Sequence, residues 1–94
     1  MLKLGFVGAG NMGSAILRGV ISDGSLKQSD VAVCDVSRRK REDLSAEFPG
    51  VTFVPDAYDL VDMCDMVILA VKPQYLEGLL EDVKEVLNGK AVIS

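Results

Sequence analysis

Leu2-Lys3-Leu4-Gly5-Phe6-Val7-Gly8-Ala9-Gly10-Asn11-Met12-Gly13 is the stretch from which the rest of the chain can be ordered. Leu2 to Val7 is apolar and short, as a buried strand is, and it stops in a glycine-rich turn. From Met12 onward the small and apolar positions Met12, Ala15, Ile16, Gly19 and Val20 return at helical spacing, which makes one buried stripe. Gly8 to Gly13 matches G-x-G-x-x-G between that strand and that helix. In such a turn Gly8 permits the reversal, Gly10 lets the backbone come close to a pyrophosphate, and Gly13 lets the helix pack on the sheet. The phosphate meets unpaired N–H groups and the positive end of the helix dipole, so no lysine is required. The bare pattern is weak, because glycine turns often have structural reasons only. Its setting is what points to a dinucleotide. No Gly-Lys-Ser/Thr follows, so a Walker-type phosphate loop is excluded.

Outward from that unit, strands and helices alternate. Ser22-Asp23-Gly24-Ser25 ends the first helix, with Gly24 suited to a left-handed exit. Val31 to Cys34 reads as a second strand. Ser37 is placed to cap a helix running through Leu44 to Phe48, which Pro49-Gly50 stops. Val51 to Val54 is β-branched and aromatic, a third strand. Asp56 stands at an N-cap position before a short helix, Ala57 to Met63. Met66 to Val71 is continuously apolar, as a strand covered on both faces is. Pro73 opens a helix whose apolar face is Leu76, Leu79, Leu80, Val83 and Leu87; Asn88-Gly89 closes it, and Ala91-Val92-Ile93 begins a fifth strand. Parallel strands need crossovers, and right-handed crossovers put helices on both faces. The expected architecture is a single α/β domain over residues 1–94, a doubly wound parallel sheet in strand order 3-2-1-4-5. Ligands of such sheets bind beyond the strand carboxyl ends at the switch point between strands 1 and 4.

The chain has 94 residues, 49% hydrophobic and 26% charged, an ordinary composition for one small globular domain and not for a disordered or disulfide-dense chain. Its longest aliphatic run, Met66 to Val71, is too short to cross a bilayer, and the N-terminus lacks the pattern of a secretory signal. Net charge is −4, yet four of the ten basic residues are adjacent, Arg38 to Arg41. An otherwise acidic chain repels a nucleic-acid backbone, so this tetrad suggests a local anion site or a solvated helix start. Cys34 and Cys64 form no C-x-x-C pair and there is no histidine, which argues against a metal site and for free thiols in a reducing, cytoplasmic setting.

Asp35 lies 22 residues beyond Gly13, at the end of strand 2, where an adenosine ribose is recognised. A carboxylate there favours NAD; Ser37 and the arginines that follow at once, Arg38 first, suit a 2′-phosphate. The plainer reading is that Ser37 caps its helix and the cations point into water. Both NAD and NADP stay open, with the balance toward NADP. Ala70-Val71-Lys72-Pro73 follows strand 4 across the switch point and either flanks the nicotinamide end of the cofactor or is simply a strand end before a helix. Tyr58 and Tyr75 are assigned packing roles, and Phe6, Phe48 and Phe53 core positions.

Gly5-Phe6-Val7-Gly8-Ala9-Gly10-Asn11-Met12-Gly13, taken with Leu69-Ala70-Val71-Lys72-Pro73-Gln74, resembles pyrroline-5-carboxylate reductase over essentially the whole chain, as that family's N-terminal Rossmann-like dinucleotide domain. The resemblance implies hydride transfer from NAD(P)H to the imine carbon of 1-pyrroline-5-carboxylate, giving L-proline. It implies cofactor contacts from Val7, Gly8, Ala9, Gly10, Asn11, Met12 and Gly13, from Asp35, Ser37 and Arg38, and from Ala70, Val71, Lys72 and Pro73. Many members have an asparagine at the start of helix 3; Ala57 stands there, so that contact is not carried over. The family continues into a helical domain that forms a homo-oligomer and supplies the imino-acid pocket, so no catalytic residue is expected here. Without that domain, the edge of strand 5 and the apolar surface at the switch point favour self-association. The glycine motif alone is shared with hydroxyacid dehydrogenases and deazaflavin-dependent NADP reductases, and a non-catalytic nucleotide-binding module on the same fold is the remaining alternative.

Overall fold

The computed structural model describes residues 3–8 and 10–93, apart from the side chain of residue 11. Leu2 and Ala9 of the expected strand and turn lie outside the described residues. The elements are β1 (Leu4–Val7), α1 (Asn11–Ser22), a 3-10 turn (Gln28–Asp30), β2 (Val31–Cys34), α2 (Arg38–Glu47), β3 (Thr52–Phe53), α3 (Ala57–Met63), β4 (Met66–Leu69), α4 (Pro73–Leu87) and β5 (Ala91–Ile93). All pairings are parallel and the order is β3-β2-β1-β4-β5, as the alternation of elements requires.

Each strand alternates its side chains between two cores. Leu4 and Phe6 face a cluster with Leu17 of α1 and Leu44 of α2; Gly5 and Val7 face the other side, where Leu60 and Val61 of α3 and Val83 of α4 are wholly buried. A Cβ on Gly5 would stand 2.7 Å from both Cys64 Sγ and Leu60 Cδ2, so α3 lies against β1 only because that position has no side chain. Gly24 and Gly89 take φ of 80° and 81° just past α1 and α4, the left-handed exits that glycine accepts.

Several elements differ from expectation. β3 keeps two residues of the expected four, because only Ala32↔Thr52 and Val33↔Phe53 pair; Val51 is buried beside the strand without joining it. β4 stops at Leu69, and Ala70 and Val71 turn across the sheet end. Phe48 is the cap of α2 and Phe53 is only partly buried. Tyr75, expected to pack, is 62% exposed, and Tyr58 and Leu80 are each 37% exposed.

Candidate dinucleotide site

The register places Val7 opposite both Cys34 and Leu69, so β1, β2 and β4 end level. Two backbone hydrogen bonds tie these ends together: Gly8 N–H donates to Cys34 O at 2.7 Å, and Ala70 N–H donates to Val7 O at 2.8 Å. Gly8 has φ 86°, and a Cβ there would lie 2.6 Å from Ala70 O. A Cβ on Gly13 would meet Ala70 Cβ at 3.1 Å and Gly8 O at 3.2 Å, so α1 starts hard against the turn and the end of β4. Gly10 is different: the space where its Cβ would stand is open, with nothing nearer than Ala70 O at 3.9 Å and Lys40 Nζ at 4.0 Å. Gly8 and Gly13 are therefore glycine for the fold, whereas Gly10 keeps free a cradle that a Cβ would fill.

Gly10 is the N-cap of α1 and supplies no side-chain cap, and no acidic residue stands in the first turn. The first N–H groups of α1 thus face that cradle with the helix dipole behind them, the arrangement that holds a phosphate. Among the described residues, the donor set fits a dinucleotide's diphosphate. Met12, one residue inside the helix, is 74% exposed at the same mouth.

The β2–α2 turn forms the neighbouring wall. Asp35 Oδ1 accepts the Ser37 N–H at 2.8 Å, and Ser37 Oγ accepts the Lys40 N–H at 3.3 Å, which caps α2 as its sequence suggests. Arg41 Nη1 donates to the Asp35 carbonyl at 2.6 Å and braces the turn from below. Val36 stands 98% exposed between them. Arg38 is directed along α2, pairing with Glu42 at 2.9 Å, and with Arg41, Ser45, Ala46 and Phe53 it borders an open cavity of about 600 Å³ on the outer side of α2 and β3. Val71 Cγ1 approaches the Cβ position of Gly8 at 3.2 Å, and Ala70 O lies 3.9 Å from that of Gly10. Lys72 and Pro73 follow as N-cap and first residue of α4, both exposed. The glycine turn, Ala70 and Val71 are thus brought together; Arg38 is placed at the rim.

Lys40 belongs to the tetrad that the sequence marks as a local anion site or a solvated helix start, without being singled out in it. Its ammonium reaches Gly10 although nothing in a run of four cations marks one of them as inward. The usable signal is Leu44, buried one helical turn later on the same side.

Among the described residues, neither cysteine is an activated thiol. Burial, followed by the nearby charges of Asp35 and Asp56, pushes the Cys34 thiol above its ordinary range, and its Sγ rests 3.8 Å from Pro55 O. Burial likewise raises the Cys64 thiol. Both cysteines are free, and no cluster of potential metal ligands occurs among the described residues.

Comparisons with known proteins agree with this geometry. Residues 3–94 match the family described as NADP oxidoreductase, coenzyme F420-dependent. A pyrroline-5-carboxylate reductase of Methanosarcina acetivorans is 40% identical over 93 residues, which cover 98% of this chain and 34% of the relative. Among solved structures, a pyrroline-5-carboxylate reductase from Coxiella burnetii superposes with TM-score 0.85 at 29% identity, covering 93% of this chain and 32% of that one. The Plasmodium falciparum pyrroline carboxylate reductase, solved with NADP bound, gives TM-score 0.82 at 26% identity over 97% of this chain and 32% of that one. The chain spans about a third of the length of these relatives. It belongs to the NADP oxidoreductase, coenzyme F420-dependent family, and corresponds to the N-terminal Rossmann-type domain of pyrroline-5-carboxylate reductases.

Proposed function

We propose that this chain binds NAD(P)H as the cofactor domain of a pyrroline-5-carboxylate reductase. The observation that carries the reading is the open space at Gly10, bounded by the first N–H groups of α1 and by Ala70, at the level ends of β1, β2 and β4. Val7, Gly8, Ala9, Gly10, Asn11, Met12 and Gly13 hold the diphosphate. Ala70, Val71, Lys72 and Pro73 flank the nicotinamide half. Bound there, the cofactor supplies the hydride that the whole protein delivers to the imine carbon of 1-pyrroline-5-carboxylate, giving L-proline. The imino-acid pocket and the homo-oligomer contact are assigned to the portion of the relatives that this chain does not span. A cytoplasmic setting accords with two free cysteines and with the lack, among the described residues, of any helix long and apolar enough to cross a membrane.

NADP is the preferred form in this reading. Asp35 turns one carboxylate oxygen back onto the Ser37 N–H, and Arg38, at the rim of the same turn, is exposed and held only by a solvent-facing ion pair. Such a pair is worth little and yields readily to a phosphate. Calorimetric titration with NADPH and NADH tests both levels. The chain is expected to bind each, NADPH more tightly, and Arg38→Ala to weaken NADPH alone. No heat with either dinucleotide at millimolar concentration would overturn the cofactor reading; an unchanged NADPH affinity in Arg38→Ala would overturn the phosphate role of Arg38.

A further inference from the structure

Two helices of this fold end on an acid or an amide followed by glycine, and the two ends differ. α1 runs out through Asp23-Gly24 and α4 through Asn88-Gly89, with glycine φ of 80° and 81°. At the first, every reactive group is engaged. Gly24 N–H donates to Ile21 O at 3.2 Å, and Asp23 Oδ1 accepts the Ser25 N–H at 2.8 Å. Hydrogen bonds from Ser25, side chain first and then main chain, hold the Asp23 carboxyl below the usual carboxylate range. It stays ionised and therefore inert toward an amide nitrogen.

At the second, the reactive groups are unengaged. Lys90 N–H donates to Leu87 O at 3.0 Å and closes a turn with Asn88 (φ −58°, ψ 126°) and Gly89 at its centre, the type II form. Both central residues are exposed, and among the described residues neither the Asn88 side-chain amide nor the Gly89 N–H has a hydrogen-bond partner. The space beside Gly89 is open as well. Glycine accepts φ of either sign, so the peptide between the two residues can turn over while the Leu87–Lys90 bond holds. Rotation about the Asn88 Cα–C bond then brings Gly89 N alongside Asn88 Cγ.

We propose that Asn88 is a site of spontaneous deamidation, with water as the only co-reactant. Gly89 N loses its proton to base and attacks Asn88 Cγ. The new C–N bond closes a five-membered cyclic imide as the Cγ–Nδ2 bond breaks and the nitrogen leaves as ammonia. Water then opens the ring. Cleavage at Cγ gives aspartate; cleavage at the main-chain carbonyl gives isoaspartate, in which the chain runs through the former side chain. No atom is oxidised or reduced. Either product places a carboxylate at the C-terminal end of α4, where the helix dipole opposes it. Isoaspartate also adds a methylene to the link between α4 and β5, whose register starts two residues after Gly89, at Met66↔Ala91. β5 is therefore the element that loosens.

The test holds the 94-residue chain in mildly alkaline and in mildly acid buffer and maps it by peptide mass spectrometry, with Asn88→Gln and Gly89→Ala in parallel. In the parent, Asn88 is expected to lose most of its amide over days, faster in alkali. Asn11, followed by Met12, should keep its amide, and Asp23 its normal linkage. Both variants should stay intact at position 88, because glutamine needs a larger ring and a methyl group at position 89 crowds the attack. Isoaspartyl chains, separated chromatographically, should exchange the amide hydrogens of residues 91–93 faster than Asn88→Asp, which carries the charge without the methylene. An Asn88 amide as durable as that of Asn11 would overturn the proposal. So would isomerisation of Asp23 as fast as the reaction at Asn88, since its hydrogen bonds would then protect nothing. Equal exchange in the isoaspartyl chain and Asn88→Asp would overturn the effect on β5.

Discussion

At Gly8 the backbone has φ 86° and a Cβ would press on Ala70 O at 2.6 Å, while two residues on, at Gly10, φ is −65° and the Cβ position is open. One substitution therefore separates folding from binding. Gly8→Ala pays the left-handed penalty of about 1–2 kcal/mol and also forces β1 from β4, so the expected loss is about 2 kcal/mol or more. Gly10→Ala meets neither obstacle. Its thermal stability should stay within about 1 kcal/mol of the parent, an alanine N-cap being the only cost. Its affinity for NADPH should nevertheless fall about tenfold or more, because the methyl group occupies the space that the diphosphate needs. Thermal melts and titration of the two variants check this, and a Gly10→Ala chain that binds as well as the parent would remove the cradle assignment. The tight reversal at Gly8 is readable in the motif itself. The role of Gly5 is not: its reason is the contact with Leu60 and Cys64, which are far away in the chain and adjacent only once α3 packs on β1. Lys40 was hidden for a related reason, since four consecutive cations look alike until Leu44 is known to be buried.

Between elements, α1 and α2 are joined on one face of the sheet by Arg18 and Glu47. Arg18 Nε donates to Glu47 Oε2 at 2.8 Å and Nη2 donates to Oε1 at 3.0 Å, a two-pronged pair with both side chains about half exposed. The hydrogen bond from Arg18, and then its charge, hold the Glu47 carboxyl below the usual carboxylate range. A carboxyl with a lowered native pKa contributes stability above its unfolded value and loses it as pH falls through the folded value. Below about pH 5 the parent chain should therefore lose stability more steeply than Glu47→Gln, the two curves converging in acid. The difference should shrink at high salt, because the pair faces water. Denaturant melts across the acid range measure it; parallel curves would mean that the pair contributes nothing. Sequence alone could not join these residues, which each read as a solvated charge on a separate helix. Caps are local and were legible: Ser37 and Asp56 both accept backbone N–H groups at the starts of α2 and α3. The short β3 was not, because strand length depends on the pairing partner and only Ala32 and Val33 of β2 pair with it.

For the molecule as a whole, the alternation of strands and helices was enough to order the sheet, since right-handed crossovers leave few other windings. That ordering also fixes which faces lack a cover. Ile93 pairs with Ile68 and so points to the α1 side of the sheet, yet Ile68 is 7% exposed and Ile93 50%. Ile16, Val20 and Ile21 of α1 pack against the cluster that holds Ile68, whereas Ile93 joins neither core cluster of the described residues. Val92, on the opposite face, is 41% exposed despite its pairing with Val67, and the outer backbone of β5 is unpaired in the sheet order. A short apolar edge of this kind is a template for pairing with another strand. The 94-residue chain in isolation should therefore associate as its concentration rises, through β5 and not through the charged α2 edge. Placing one lysine on the edge, Ile93→Lys, should suppress that association, and because the side chain is already half in water the fold should lose no more than about 0.5 kcal/mol. Sedimentation velocity over a concentration series, paired with thermal melts, decides it. Equal association of the parent and Ile93→Lys would show that the contact lies elsewhere. Association abolished with the melting temperature intact would place it on the face that the sheet order leaves bare.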